Sequence, residues 1–266
     1  MINRFHGKLV WITGASSGIG EALAYAFARC GSNLILSARR KHELERVADQ
    51  CIQLGATCFI QLLDLSQSDQ LESTADFLLD RFGTIDVLVN NGGISQRSLV
   101  RETTLEIDRK IMEVDYFSGV ILTKKLLPSM LKNGYGHIIA VSSVTGVFGF
   151  PYRSAYSAAK HAMLGFYETL WAELHENGIH VTVACPGRVH THVSENALTG
   201  NGQVYGIMDH GQKGGITSDK CASAIIRSAN RDKVIVYIGN KELWMVFFKR
   251  YIPWIFYRLV SKVQPT

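Results

Sequence analysis

Paired cysteines are what this sequence most plainly lacks. Its five, Cys30, Cys51, Cys58, Cys185 and Cys221, are odd in number, scattered and never spaced C-x-x-C. Neither a disulfide framework nor a zinc site is expected; reduced thiols in an intracellular compartment are. Long basic runs are missing too, as is any interleaving of aromatic and basic residues, and the net charge is only +5. A nucleic-acid partner is therefore not expected. No internal repeat, low-complexity tract or linker divides the chain. The strand pattern from Lys8 to Thr13 begins so early that neither a signal peptide nor an amino-terminal anchor is expected. A cytoplasmic location follows as the expectation.

What is present is a chain of 266 residues, 47% hydrophobic, with mean hydropathy +0.07, which suits one globular domain with a large core. Seven short apolar runs punctuate it: Leu9–Ile12, Asn33–Ala38, Thr57–Leu63, Ile85–Asn90, His137–Ser142, His180–Cys185 and Val234–Gly239. Several are apolar continuously and not alternately, as strands buried on both faces are. Stretches of helical period lie between them, one carrying Leu44, Val47, Ala48, Cys51 and Leu54, another Leu71, Ala75, Leu78 and Phe82. Glu21–Arg29 and Glu106–Leu127 are expected as further helices. Strand-helix-strand repetition with right-handed crossovers predicts an α/β fold, a doubly wound parallel sheet of Rossmann type. It is expected to occupy residues 1–240 as a single domain.

Two patterns carry chemistry. Tyr156 and Lys160 lie four apart in a run of small, helix-favouring residues, which places phenol and ammonium on one helix face. A lysine ammonium favours the phenolate and brings a phenol toward use as an acid or base near neutral pH. A hydroxyl such as Ser143, just before the loop holding Gly146 and Gly149, could hydrogen-bond the substrate oxygen. Alone, Tyr-x-x-x-Lys is short enough to be an ordinary surface pair. The second pattern is Thr13-Gly14-Ala15-Ser16-Ser17-Gly18-Ile19-Gly20, directly after the first strand and before a helix. There glycines allow close approach to a pyrophosphate, and the helix start offers free N–H groups.

These motifs, with Asn90-Asn91-Gly92-Gly93 after the fourth strand and Pro186-Gly187 after the sixth, resemble the short-chain dehydrogenase/reductases in order and spacing over roughly residues 5–240. Within that superfamily the phrases LTKKLLPSMLKNGYGHI and RSAYSAAKHA are most similar to the branch holding hydroxysteroid dehydrogenases and membrane-associated dehydrogenase/reductases. The resemblance implies that Tyr156 exchanges the proton, Ser143 positions the substrate oxygen and Lys160 also holds the nicotinamide ribose. It further implies cofactor contacts from Asn90 and Gly92, from Asp64-Leu65 beside the adenine, and from Val189 and Thr191 at the carboxamide. Asp64 could equally cap the next helix. Gly92 stands where the family usually has alanine. The segment 188–216, rich in glycine, is expected as a lid over the substrate.

The second strand ends Ser37-Ala38-Arg39-Arg40, with no acidic residue to bind free ribose hydroxyls. Arginine there suits a 2′-phosphate, so NADP is the expected cofactor, although Arg39 and Arg40 could simply solvate a helix start. The family places asparagine where this chain has Asp115, serving a water relay to the catalytic lysine. An ionised aspartate only accepts hydrogen bonds, so the relay is expected to differ, and its charge should raise the pKa of Lys160.

Residues 241–266 form an aromatic and basic tail, with Lys249, Arg250, Arg258 and Pro253 interrupting any spanning helix. On one helix Leu243, Trp244, Phe247, Phe248 and Tyr251 would share a face, opposite Glu242 and Lys249. That face either packs on the body or a twin subunit, or lies in a membrane interface. The expected protein is thus an NADP-dependent oxidoreductase interconverting a secondary alcohol and a ketone on an apolar, steroid-, retinoid- or lipid-like substrate. It is expected to be a homo-oligomer, a dimer in the simplest case, without a metal and with peripheral membrane contact through the tail. Val147, Phe148, Phe150 and Tyr152 would wall the substrate or belong to the core. The rival reading is a regulatory or membrane-assembly protein that binds NADPH without turnover.

Overall fold

The computed structural model describes residues 3–209 and 213–263. All seven apolar runs become strands: β1 (Leu9–Thr13), β2 (Asn33–Ala38), β3 (Cys58–Leu62), β4 (Val87–Asn90), β5 (Gly136–Val141), β6 (Ile179–Pro186) and β7 (Ile235–Ile238). They form one parallel sheet in the order β3-β2-β1-β4-β5-β6-β7. The order reverses between β1 and β4, the switch point where such sheets open a crevice at their carboxyl ends.

Helices α1 (Gly18–Arg29), α2 (Lys41–Gln53) and α7 (Ser218–Ala229) cover one face; α3 (Ser68–Phe82), α5 (Ser118–Lys132) and α6 (Ser154–Leu174) cover the other. Alternate residues of each strand supply the two cores. Val10, Ile12, Leu34 and Leu36 meet Leu23, Phe27 and Leu44, while Trp11, Ile35, Leu88 and Ile138 meet Leu71, Leu122 and Met163. Burial on both sides is why these strands read as unbroken apolar runs.

The helix expected over Glu106–Leu127 is divided. It runs as α4 (Leu105–Met112), then a π turn over Glu113–Phe117, then α5, which continues past Pro128 to Lys132. Pro128 forfeits one backbone bond, yet Leu122, Leu126 and Met130 are all buried and hold the helix to the sheet.

The tail folds as α8 (Trp244–Tyr251) and α9 (Pro253–Val260), separated where Pro253 cannot continue the first helix. Val246 and Phe256 pack with Val144 and Phe148 in a small separate core, flanked by Leu243, Phe248, Val147 and Phe150. The single apolar face expected for the tail is thereby corrected: Leu243 and Phe248 turn inward, whereas Trp244, Phe247, Tyr251, Trp254 and Tyr257 are exposed. Among the described residues no helix is long and apolar enough to cross a membrane.

His137, the second residue of β5, is fully buried, with Nε2 3.1 Å from Thr182 Oγ1. Burial, helped by His180, lowers its pKa to about 3. As pH falls below about 6.5 the unfolded chain takes up this proton and the folded one does not. Stability is therefore lost progressively down to the folded value. Between pH 7 and pH 5 the loss from this group should be about 2 kcal/mol, read from urea midpoints, and His137→Gln should remove that slope.

Candidate active site

The carboxyl ends of β1 to β6 surround one cavity of about 650 Å³, within the usual range of ligand sites, roughly 300–1,000 Å³. At one end lies the turn after β1. Gly14 and Gly18 sit in the left-handed region, at φ 66° and 61°, and a Cβ on Gly14 would stand 2.7 Å from Gly92 Cα. Gly20 does not line the cavity: a Cβ there would meet Gly14 O at 2.2 Å, so its part is to let α1 close on the turn. Thr13 Oγ1 accepts from the N–H groups of Asn91 and Gly92, each at 3.1 Å, and so ties this turn to the end of β4.

Thr13, Ser16, Ser17, Ile19, Arg39, Arg40, Asp64, Leu65 and Gly92 all line this end, and Pro186, Gly187, Val189 and Thr191 line the wall after β6. Arg40 Nη2 donates to Ser16 Oγ at 3.0 Å and Ser17 Oγ at 2.9 Å. Asp64 Oδ1 accepts from Ser66 N at 3.0 Å and is not the residue that begins α3, which follows Gln67. Leu65 explains Gly92, since a Cβ at Gly92 would press on Leu65 Cδ1 at 2.4 Å. This cradle, with its close glycines and the free N–H groups at the start of α1, fits the pyrophosphate of a nicotinamide dinucleotide.

Asn90 requires a correction. Its side chain points away from the cavity, donating to Tyr167 Oη at 2.8 Å and Thr123 Oγ1 at 3.2 Å. Strand alternation turns Asn90 toward α5 and α6, and Asn91, Gly92 and Gly93 form the wall instead.

Beyond the turn, Ser143, Tyr156, Lys160 and Asp115 line the same cavity. Ser143 Oγ accepts from Thr145 N at 3.2 Å and donates to Pro186 O at 3.4 Å. Lys160 Nζ donates to Val141 O at 3.2 Å and lies 5.5 Å from the centre of the Tyr156 ring. It also stands 3.2 Å from Asp115 Oδ2, an ion pair buried at both partners but outside hydrogen-bond alignment. Asp115 Oδ1 accepts from Ile94 N at 2.7 Å. The π turn aims this carboxylate inward, and Gly93 leaves it room, since a Cβ there would lie 3.0 Å from Oδ2. Burial pushes the Asp115 carboxyl above its ordinary range, against the pull of Lys160. Burial also presses Lys160 downward, but the Asp115 carboxylate and Tyr156 outweigh it, and the ammonium is held above its usual value.

Gln96, Arg97, Arg153 and Asp209, which the sequence did not single out, add to the site. Gln96, fully buried, accepts from Ala155 N at 2.9 Å and so fixes the first turn of the Tyr156 helix. Arg97, Arg153 and Asp209 form a cluster at the far end of the cavity. Tyr152, at φ 63°, is one of two non-glycine residues in the left-handed region among those described, and it turns the chain into α6. Glu242 Oε1 accepts from Arg188 N at 2.9 Å, so the tail braces the loop after β6 instead of presenting this residue to solvent. Val147, Phe148 and Phe150 belong to the core under the tail and do not line the cavity.

The short chain dehydrogenase family model matches residues 8–201. The chain belongs to the short-chain dehydrogenase family. This short-chain dehydrogenase is 43% identical to "Dehydrogenase/reductase SDR family protein 7-like" of Anopheles gambiae over 98% of its own length and 86% of the relative's. It is 40% identical to human "Dehydrogenase/reductase SDR family member 7", covering 92% and 74% of the two chains. Among solved structures it resembles an alcohol dehydrogenase from Thermococcus sibiricus complexed with 5-hydroxy-NADP, at 27% identity, TM-score 0.75 and coverage of 89% and 97%. The short-chain dehydrogenase fold and these relationships make it an NAD(P)-dependent oxidoreductase.

Asp115→Asn removes what raises the pKa of Lys160. The ammonium should then lose its proton at lower pH, moving the alkaline limb of kcat downward, with cofactor affinity nearly unchanged. Paired pH–rate profiles check this; superimposable curves would show that Asp115 does not act on Lys160.

Proposed function

We propose that this short-chain dehydrogenase is NADP-dependent and interconverts a secondary alcohol and a ketone. The convergence of Ser143, Tyr156 and Lys160 on the cavity that begins at the glycine turn carries this reading. When bound, the nicotinamide supplies or accepts the hydride. Ser143 Oγ orients the substrate oxygen, and Tyr156 Oη delivers the proton in reduction and removes it in oxidation. The Lys160 ammonium, kept charged by Asp115, stabilises negative charge on Tyr156 and offers donors to the nicotinamide ribose. Arg40, with Arg39 beside it, meets the 2′-phosphate where an acidic residue would have met free hydroxyls. The resemblance to a dehydrogenase complexed with 5-hydroxy-NADP supports the same choice.

The substrate body lies against Val114 on one side and Val193, Leu198 and Val204 on the other, the last three belonging to the segment 188–216 expected as a lid, of which 210–212 lie outside the described residues. Kinship with the dehydrogenase/reductase branch is supported by relatives named SDR family member 7 and 7B. The protein is proposed to work in the cytoplasm as a homodimer, with the exposed face of α8 and α9 touching a membrane surface.

Following NADPH absorbance over a panel of ketones tests the catalytic reading. Turnover is expected, and Tyr156→Phe should cost about 10²–10⁴ in kcat. Absence of turnover with every ketone, while NADPH binds, would favour the non-catalytic alternative. Replacing Arg39 and Arg40 with aspartate should reverse the cofactor preference, each charge-assisted contact being worth roughly 1.5–3 kcal/mol. Equal affinity of the unaltered protein for both cofactors would contradict it. For the tail, Trp254→Ser with Tyr257→Ser should abolish binding to anionic vesicles, because Val246 and Phe256 still hold the helices to the body.

A further inference from the structure

At the end of the cavity beyond Tyr156, two arginines share one carboxylate. Arg97 Nη2 lies 2.7 Å from Asp209 Oδ2, and Arg153 Nη2 lies 2.6 Å from the same oxygen. Arg97 and Asp209 are buried, Arg153 nearly so, and all but Asp209 line the cavity. Arg97 Nη1 is satisfied by Ser95 Oγ at 2.8 Å and Gln96 O at 2.7 Å. Arg153 is not: its Nε is buried and has no partner among the described residues.

The charge does not balance. Asp209 is the one carboxylate shared by the two arginines, Asp115 is already paired with Lys160, and His192 pairs with Glu195. The crowding shows in Arg153, whose pKa burial and then Arg97 lower to about 10. Surplus positive charge away from water is unfavourable unless an anion meets it. The neighbouring backbone is also held against its preference, since Tyr152 takes φ 63° directly before Arg153. Arg153 directly precedes α6, three residues before Tyr156, and both line the cavity. An anion on its guanidinium would therefore share one cavity with a carbonyl that meets Tyr156.

We propose that the substrate is an oxo or hydroxy acid whose carboxylate is bound by Arg153 and Arg97. Resting on the alcohol–ketone reading above, this makes the substrate amphipathic, with an apolar body and one anionic group. Asp209 occupies the arginines in the free protein and competes with that group. The planar guanidinium fork suits a carboxylate, as Asp209 already shows.

The test compares benzoylpropionate and oxodecanoate with their methyl esters, using NADPH. The wild type should prefer each acid in kcat/KM by about tenfold or more, mainly through KM, as a charge-assisted pair predicts. Arg153→Gln should collapse that ratio, and Asp209→Asn, which removes the competitor, should increase it. A wild type indifferent to the charge, or an Arg153→Gln variant that loses acid and ester equally, would overturn the proposal and leave a purely structural cluster. Calorimetry of phenylbutyrate against phenylbutyramide on the NADP-loaded protein separates the two readings. Carboxylate binding that needs Arg153 without turnover of any ketone would sink the alcohol–ketone reading alone. Ketone turnover with no preference for the carboxylate would sink the anion site alone, and failure of both measurements would sink both.

Discussion

Every functional group in this protein depends on one constraint: seven parallel strands must end on the same edge of a sheet that is buried on both faces. Parallel strands need long crossovers, and the crossovers are helices that cover the faces. Loops join strands to helices at both edges, and those at the carboxyl ends carry the residues that line the cavity. The reversal of strand order between β1 and β4 parts neighbouring crossovers there and opens the cavity.

Within that cavity a second constraint acts on Lys160. An ammonium removed from water is unfavourable without partners. Val141 O and the Asp115 carboxylate supply them, one from the end of β5 and the other from a π turn between two helices. The π turn is a local departure from regular helix of the kind found at functional sites. Its effect is to swing one carboxylate out of the helix register and onto Lys160. The aspartate therefore gives Lys160 a counter-charge in direct contact, where an amide would have given it a neutral hydrogen-bonding partner.

The tail is joined to this machinery from behind. Phe148 follows Ser143 and Val144 on the loop after β5, and it packs on Phe256 with ring centres 5.3 Å apart. Glu242 accepts the Arg188 N–H on the loop after β6. One side of the tail thus supports both loops, which line the cavity, while its other side presents Trp254 and Tyr257 outward. Of the two readings of the tail, packing on the body describes its inner side.

Much of this was legible in the order of residues, because it rests on local physics. Continuous apolar runs marked the seven strands, glycines marked the turn after β1, and the four-residue step from Tyr156 to Lys160 gave one helix face. Such signals need only neighbours along the chain. Asn90 was misplaced because strand alternation, and not the motif, decided which way its amide points. The division of the helix around Asp115 and the turning of Glu242 onto Arg188 were invisible for the same reason: each depends on what packs against the element. The Arg97–Asp209–Arg153 cluster is the extreme case, its partners lying 112 and 56 positions apart. No local pattern encodes such a meeting; only the closed fold brings those charges together and away from water.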